Sequence, residues 1–440
     1  MLIHRLLPID PQTGRALDLR SLGSHAAVFG PLPTLPFAAH GQPGGLIDEI
    51  ATSGLRGRGG GWFPTARKMQ AVVESAAGRR QRSAGSRPVV IANAMEGEPA
   101  SGKDAVLLAH VPHLILDGIQ AAAVTVGATD AYLAVHRGTP SIDELDRAIA
   151  ERRSDPVRVE LITPPARYVA SEESALSHWA GDDIATPVYG DRPFERGMNG
   201  RPTLVQNVET LAHLGLIARH GGAWFAEVGD AEAPGTTLVT VGGRVRQPGV
   251  IEVATGTPVS EILARCGEVD SPVEGFLTGG YGGAWVASES LWSVQWAPAQ
   301  VREVGGVIGA GILWALDAAI CPLHEIARVA TYMAGESAGQ CGPCRFGLPS
   351  VAEDLTDLAH ATCAKEDLDR INARLALVVN RGGCKHPDGT ARFIATGLTV
   401  FSAEVAEHLR GGCSASRSGT SLPISEVRKS PVKRAGKDFR

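Results

Sequence analysis

Residues 53–69 read SGLRGRGGGWFPTARKM, and the fold is decided by how this stretch is read. Five glycines and two arginines fall within residues 53–61, and Phe63, Pro64, Thr65 and Lys68 follow. Glycine lets a backbone turn through positive φ and approach a ligand closely. Successive N–H groups in such a loop form an anion-binding concavity, and neighbouring arginine or lysine suits phosphate. The loop is not a GxxxxGK[ST] P-loop. Nor is it GxGxxG, because Trp62 and Phe63 follow Gly61. The plain alternative is a flexible linker, but Trp-Phe-Pro between cations is foreign to linkers. The reading is a phosphate-bearing cofactor held on backbone.

Upstream, residues 45–53 (GLIDEIATS) have helical spacing and deliver the chain into the loop. Downstream, residues 65–77 continue as a helix with Met69, Val72 and Val73 on one face. A helix that starts just after a glycine loop favours phosphate at its N-terminus. Residues 79–87 (RRQRSAGSR) read as a solvated loop. Residues 88–93 (PVVIAN) then form an apolar run suited to a buried parallel strand, which ends in NAMEGEP, residues 93–99. Ligands of open α/β sheets bind at the carboxyl ends of strands, so Asn93, Glu96 and Glu98 project towards the site. The bland reading of the two glutamates is a pair of surface carboxylates.

Residues 104–126 read as one long apolar helix, 131–135 as a strand, 141–153 as an amphipathic helix and 157–162 as a strand. This alternation predicts a parallel sheet with right-handed crossovers. Residues 237–242 and 250–253 read as a β-hairpin, with a short helix at 259–266. From residue 317 the pattern turns helical, with cysteines placed on the breaks.

The glycine loop resembles GLRGRGGxGFPTGxKW of the NADH- and FMN-binding flavoprotein subunit of respiratory complex I. The same family includes the diaphorase subunits of NAD-dependent hydrogenases and formate dehydrogenases. The likeness returns at later places and spans roughly residues 45–410. NAMEGEPASGKD resembles NADEGEPGTxKD, with Met95 in place of the aspartate. YVASEESALSHWAGD resembles YxxGEETALxxSxEG, with Ser171 in place of a glycine that lets backbone approach the flavin. PTLVQNVETL resembles PTxVNNVETL, with Gln206 in place of asparagine.

The resemblance implies an α/β flavin- and NADH-binding domain, a β-grasp insert and a C-terminal all-α bundle of iron–sulfur-binding type. It implies FMN and NAD(H) contacts from Gly57, Arg58, Gly59, Gly60, Phe63, Lys68, Asn93, Glu96, Glu98, Tyr168, Glu172, Glu173, Gln206, Asn207 and Thr210. Glu172 and Glu173 equally suit the capping of the helix that follows them. The resemblance also implies hydride transfer from NADH to FMN that needs no catalytic side chain, because the cofactor carries the chemistry.

ESAGQCGPCRFG and the later Cys384 resemble ESCGxCxPCRxG and the family's lone cysteine, which together hold one [4Fe–4S] cluster. Cys341, Cys344 and Cys384 are present, and Ala338 replaces the first cysteine. Clusters are usually held by four thiolates. Three outcomes stay open: a cluster completed by His386 or Cys363 or left with an open iron, a three-iron cluster, or no cluster. CxxC alone also suits zinc or a redox pair. Cys266, Cys321 and Cys413 lie outside any motif and read as structural thiols.

The expected organisation is an arm at 1–45, the flavin domain at 46–230, the β-grasp module at 235–300, the helical domain at 317–410 and a disordered basic tail at 411–440. The chain has 440 residues, 44% hydrophobic and 20% charged, with a net charge of −5. That composition is ordinary for a soluble globular protein, and nothing in it points to nucleic acid. No signal peptide opens the sequence, and residues 304–320 are too polar and too short for a span. Seven cysteines clustered late suggest reduced thiols or metal ligation rather than a disulfide scaffold. The expected protein is a cytoplasmic NADH:acceptor oxidoreductase that meets a protein electron-acceptor subunit and touches a membrane only through partners. A scaffold or regulatory protein that kept the fold and lost electron transfer is the alternative. Met95 and Ala338 favour it.

Overall fold

The computed structural model describes residues 4–33, 45–80, 87–269 and 272–424. Residues 81–86 of the basic excursion, part of the arm (34–44) and 425–440 of the expected tail lie outside the described residues.

The first unit is a four-stranded parallel sheet of β1 (Val89–Asn93), β2 (Asp130–Ala134), β3 (Val159–Ile162) and β4 (Thr203–Asn207), in the order β3-β2-β1-β4. Val89 to Ala92 are fully buried, as a strand covered on both faces requires. β1 and β4 are in register so that Asn93 pairs with Asn207 at their carboxyl ends. The two sequence positions expected at the cofactor are therefore neighbours.

The helix expected over 104–126 is two helices, Lys103–His110 and Pro112–Val126, bent by 98°. Pro112 causes the break: it has no N–H to donate, and its ring clashes with the carbonyl four residues back. The second helix crosses Val208–His220 at very close range. A Cβ on Gly118 would lie 1.9 Å from the Leu211 carbonyl oxygen, so only glycine permits this approach.

The arm is not wholly irregular, because Leu22–Phe29 is helical. His25 Nε2 meets Asp117 Oδ2 at 2.7 Å, and Arg152 and Arg219 reach the same carboxylate at 2.7 and 2.5 Å. Burial pushes Asp117 up, but the three partners outweigh it and hold the carboxyl at about 2.

The second unit is a five-stranded mixed sheet of β5 (Thr236–Gly243), β6 (Gly249–Ala254), β7 (Val273–Thr278), β8 (Ala284–Ala287) and β9 (Ile312–Asp317), in the order β6-β5-β9-β7-β8. β5 and β6 form the expected antiparallel hairpin. β9 falls in the apolar stretch 304–320 and inserts in the centre, parallel to β5 and antiparallel to β7. The unit therefore runs past residue 300.

The third unit is a helical bundle of Pro322–Glu336, Leu348–Ala359, Lys365–Val378, His386–Val400 and Ser402–His408. Part of the tail expected to be disordered is instead docked. Leu422 is buried in the bundle core, Ser421 and Leu422 donate their N–H groups to Glu325, and Arg417 pairs with Asp317. Composition misled here because the apolar anchor is one leucine among small and polar residues. Among the described residues, no single helix is long and apolar enough to cross a membrane.

Candidate functional site

The three units meet at a cleft of about 240 Å³. The first sheet contributes the strand-end residues Asn93, Met95, Glu96, Glu98 and Asn207. The glycine loop contributes Gly59 and Gly60, the second unit Gly279 and Gly309, and the bundle Arg392. Bare backbone therefore faces bare backbone across the cleft. Gly60 has φ 107, open only to glycine, and a Cβ there would come within 4.0 Å of Gly309 and Ala310.

The polar floor is heavily cross-bonded. Lys103 Nζ donates to Asp104 (2.8 Å) and Asn207 Oδ1 (3.0 Å) and pairs with Glu209 (3.0 Å). Burial works against its charge, but the surrounding carboxylates win and raise its pKa. Asn207 Nδ2 donates to Asp104 at 2.7 Å, while its Oδ1 caps the following helix by accepting from Glu209 N–H. Asn93 Nδ2 donates to the Ser171 carbonyl. Glu96 accepts from Ser101 Oγ and from the N–H groups of Asp104 and Ala105, and burial followed by Asp104 raises its pKa.

Glu98 accepts from Tyr281 N–H (2.7 Å) and Tyr168 Oη (3.2 Å). Burial dominates these bonds and pushes its carboxyl up to about 7. That value keeps a proton on Glu98 near neutrality, unlike an ordinary surface carboxylate. Burial also raises Tyr168 well above a normal phenol, beside Glu98.

Seven expected ligands line this cleft: Gly59, Gly60, Asn93, Glu96, Glu98, Tyr168 and Asn207. The others are placed differently. Arg58 is 1% exposed and turned inward. Its guanidinium donates to the carbonyls of Arg56, Pro234 and Thr236 and stacks 4.3 Å from the Trp62 ring. It fastens the glycine loop to the second unit, where it is spent on carbonyls and not on a phosphate. Thr210 is fully buried and accepts the Arg58 N–H. Gly57 donates its N–H to Phe63 and closes the loop, while the Phe63 ring is exposed. Lys68 Nζ bridges Glu173 and the Val205 carbonyl at 2.8 and 2.7 Å. Glu172 accepts from Ser174 and Ala175 N–H and caps the helix Glu173–Asp182. Gln206 is buried, and its Nε2 has no hydrogen-bond partner among the described residues.

Motif matching overlooked Lys103, Asp104, Arg392 and the glycines of the second unit as cleft residues. Lys103 and Asp104 carried a signal, since both match the family pattern. Arg392 and Gly309 carried none. Trp62 also stands out, with φ 49 in the left-handed region that favours glycine. Its indole donates to the Gly309 carbonyl at 3.1 Å and packs in the core of the second unit, which holds it there.

Cys341, Cys344 and Cys384 gather around a second, much smaller pocket with Ala338, Tyr189 and His386 on its wall. Burial pushes Cys341 up, but N–H groups of Cys344 and Gly383 and the Tyr189 hydroxyl outweigh it and leave that thiol below its ordinary value. Burial raises Cys344, and raises Cys384 to about 11. His386 Nε2 lies 2.9 Å from the Met333 carbonyl, which can only accept, so Nε2 carries the proton. Nδ1 is left as a buried lone pair without a partner among the described residues. Burial lowers this imidazole to about 4, so it is neutral. Cys363 lies elsewhere, with Sγ 3.9 Å from the Asp354 carbonyl. Met95 and Ala338, two of the departures from the family pattern, belong to one apolar cluster between the cleft and these cysteines.

Three family models match this one chain in succession. Residues 50–215 match the Nuo51 FMN-binding domain, 238–267 the SLBB domain and 324–408 the NADH-ubiquinone oxidoreductase-F iron-sulfur binding region. The chain is 28% identical over 385 residues to an NADH-quinone oxidoreductase-F protein of Rhizobium meliloti (strain 1021), covering 83% of this chain and 89% of the relative. It is 29% identical over 392 residues to the NADH-quinone oxidoreductase-F protein of Streptomyces coelicolor, covering 84% of each. Its fold superposes on an NAD+-reducing [NiFe]-hydrogenase in the air-oxidized state with a TM-score of 0.76 and 25% identity, over 91% of this chain and 69% of that one.

Proposed function

The chain belongs to the NADH-quinone oxidoreductase-F family, and from that premise we propose that it is an NADH:acceptor oxidoreductase that binds FMN in the three-walled cleft. The observation that carries this reading is the pairing of Asn93 with Asn207 at the carboxyl ends of β1 and β4, opposite backbone made bare by Gly59, Gly60, Gly279 and Gly309. Strand ends of an open α/β sheet are where such ligands sit. Glycine walls leave room for a flat ring beside the polar strand ends. The residues present fit the group on those grounds.

FMN, when bound, supplies two-electron uptake and single-electron release. The chain's own residues position and tune. Asn93 and Asn207 offer side-chain amides, and Lys103 keeps a fixed positive charge beneath them. Glu98, protonated below about pH 7, would lie near the nicotinamide nucleotide, as the family resemblance implies for it. Cys341, Cys344 and Cys384 would hold an iron–sulfur group, with the bare Nδ1 of His386 as the fourth donor in place of Ala338. An imidazole whose other nitrogen donates to a backbone carbonyl is the usual state of a histidine ligand. We read the five-stranded unit as a β-grasp spacer or docking module. We place the protein in the cytoplasm, with a partner protein as acceptor.

The clustering of Met95 with Ala338 favours a second reading, a scaffold that kept the fold without electron transfer. An absorption spectrum of anaerobically purified protein, with flavin and iron quantified, separates the two. Flavin bands that bleach on adding NADH support the oxidoreductase. A protein that stays colourless after reconstitution with FMN and iron leaves the scaffold.

A further inference from the structure

On the far side of the bundle, two thiols that no motif connects come together. Cys321 precedes the helix Pro322–Glu336. Glu404 and His408 lie one turn apart on Ser402–His408 and so share a face. Cys413 follows in the loop beyond. One ligand atom from each of these four lies within 4.8 Å of the others. Cys321, Glu404 and His408 are buried, and Cys413 is exposed.

The hydrogen bonds around His408 leave a gap in the chemistry. Nδ1 lies 3.0 Å from the Leu358 carbonyl, which can only accept, so Nδ1 carries the proton. Nε2 then presents its lone pair to Glu404 Oε1 at 3.0 Å and to Cys321 Sγ at 3.4 Å. The Glu404 carboxylate is itself already fed by donors, from the N–H and the hydroxyl of Ser414. Two acceptors thus face each other in a buried place, with only the Cys321 thiol, 3.9 Å from Glu404 Oε1 and 3.4 Å from Nε2, as a weak donor beside them, and a positive centre between them resolves the arrangement. A second proton would serve. A cation serves as well, and two sulfurs within reach select a thiophilic one. The orienting bond from Nδ1 to a backbone carbonyl is the support that a ligating imidazole ordinarily has. Sulfur, nitrogen and one carboxylate in a four-member set suit tetrahedral zinc.

We propose that Cys321, Glu404, His408 and Cys413 bind one zinc ion, separate from the Cys341–Cys344–Cys384 set. A cavity of about 510 Å³ lined by Cys321 and Cys413 offers the ion a way in. The ion fastens the segment that begins at Cys413 onto the bundle, because Cys413 is the only one of the four donors that lies on that segment.

The test uses the full chain, reduced, loaded with zinc and dialysed, with cobalt(II) as a spectroscopic stand-in. The expected result is one retained equivalent of zinc and a sulfur-to-cobalt charge-transfer band. Both should survive in the double variant Cys341→Ser/Cys344→Ser and be lost in Cys413→Ser, whose exposed side chain leaves the fold intact by circular dichroism. Chelation should also raise the rate of proteolytic cleavage after residue 410 at least tenfold in the wild type and leave it unchanged in Cys413→Ser. Zinc retained by Cys413→Ser or no retained zinc in the wild type would each overturn the proposal. A wild type without zinc would leave a hydrogen-bonded His408–Glu404 pair beside two bystander thiols.

Discussion

Glu252 on β6 is 3% exposed and takes four hydrogen bonds: from Leu6 N–H to both oxygens (3.0 and 2.9 Å), from Leu7 N–H (3.1 Å) and from Thr236 Oγ (2.6 Å). Burial outweighs these bonds and moves its carboxyl from 4.5 to about 7. The raised value means that the folded chain keeps the proton while the released chain gives it up. The stability contributed is full below about pH 4.5 and is lost as pH rises towards 7. At about 1.36 kcal/mol per tenfold change, the ionisation cost grows by about 2 kcal/mol between pH 5.5 and pH 8.5.

In Glu252→Gln that growth disappears. The amide oxygen can still accept from Leu6 and Leu7, and the NH2 can donate to Thr236 Oγ. The assay is hydrogen exchange at the Leu6 and Leu7 amides, corrected for intrinsic rates, in wild type and variant at both pH values. The wild-type protection should fall about 30-fold relative to the variant, which is that 2 kcal/mol expressed as a ratio. Any constant offset from the substitution cancels in the comparison. A wild-type to variant ratio that holds within about threefold across the range would show that Glu252 is already ionised at pH 5.5, and the burial argument would fail.

Ala338→Cys, at a position on the wall of the three-cysteine pocket, should raise iron bound per chain and sharpen the electron paramagnetic resonance of the reduced protein; unchanged iron content would show that the fourth ligand is not what limits the site. In Glu98→Gln the pH profile of NADH:ferricyanide activity should lose the inflection near 7 that the wild type shows, and an inflection persisting in the variant would assign it to another group. Gly118→Ala should lower stability by about 1–3 kcal/mol through overpacking against the Leu211 carbonyl, read by thermal unfolding, and an unchanged midpoint would mean that the two helices separate freely.

The parallel sheet was legible because its strands announce themselves. VVIA at 89–92 is an apolar run too short for a helix, and the alternation with amphipathic segments supplies the crossovers. Asn93 followed from the same logic, whereas Asn207 came only from the resemblance, because its run in isolation reads as a loop before a capped helix and not as the strand it is. Arg58 was not legible. A cation in a glycine loop looks like a phosphate ligand, and only the three-dimensional placement of the Pro234 and Thr236 carbonyls shows where it is spent. The break at Pro112 was written in the chain and lost beneath the apolar content on either side. The central strand β9 was hidden in a glycine-rich stretch, because a β-strand buried on both faces carries no alternation to find. Cys321 and Cys413 meet only because the last short helix turns the chain back on itself. A separation that large leaves no local pattern to read.

The docked segment 413–424 acts as a buckle across the bundle and the second sheet. Trp314 Nε1 donates to Ser421 Oγ at 2.9 Å, Tyr281 Oη donates to the Pro423 carbonyl, and Arg328 donates to the Leu422 carbonyl at 2.5 Å. Glu325, fully buried, receives two of its hydrogen bonds from this same strip. Truncation after residue 410, where composition would place the end of the folded protein, therefore removes partners from Trp314, Tyr281, Arg328 and Glu325 at once, although Arg328 and Glu325 keep each other. A buried group left unpaired costs about 1–3 kcal/mol, a large share of what a typical domain has in reserve, and the apolar anchor Leu422 is lost with it. A chain shortened there should express as insoluble protein, whereas one ending after residue 424 should stay in solution. What looks like a dispensable fringe is the fastening on which the bundle closes.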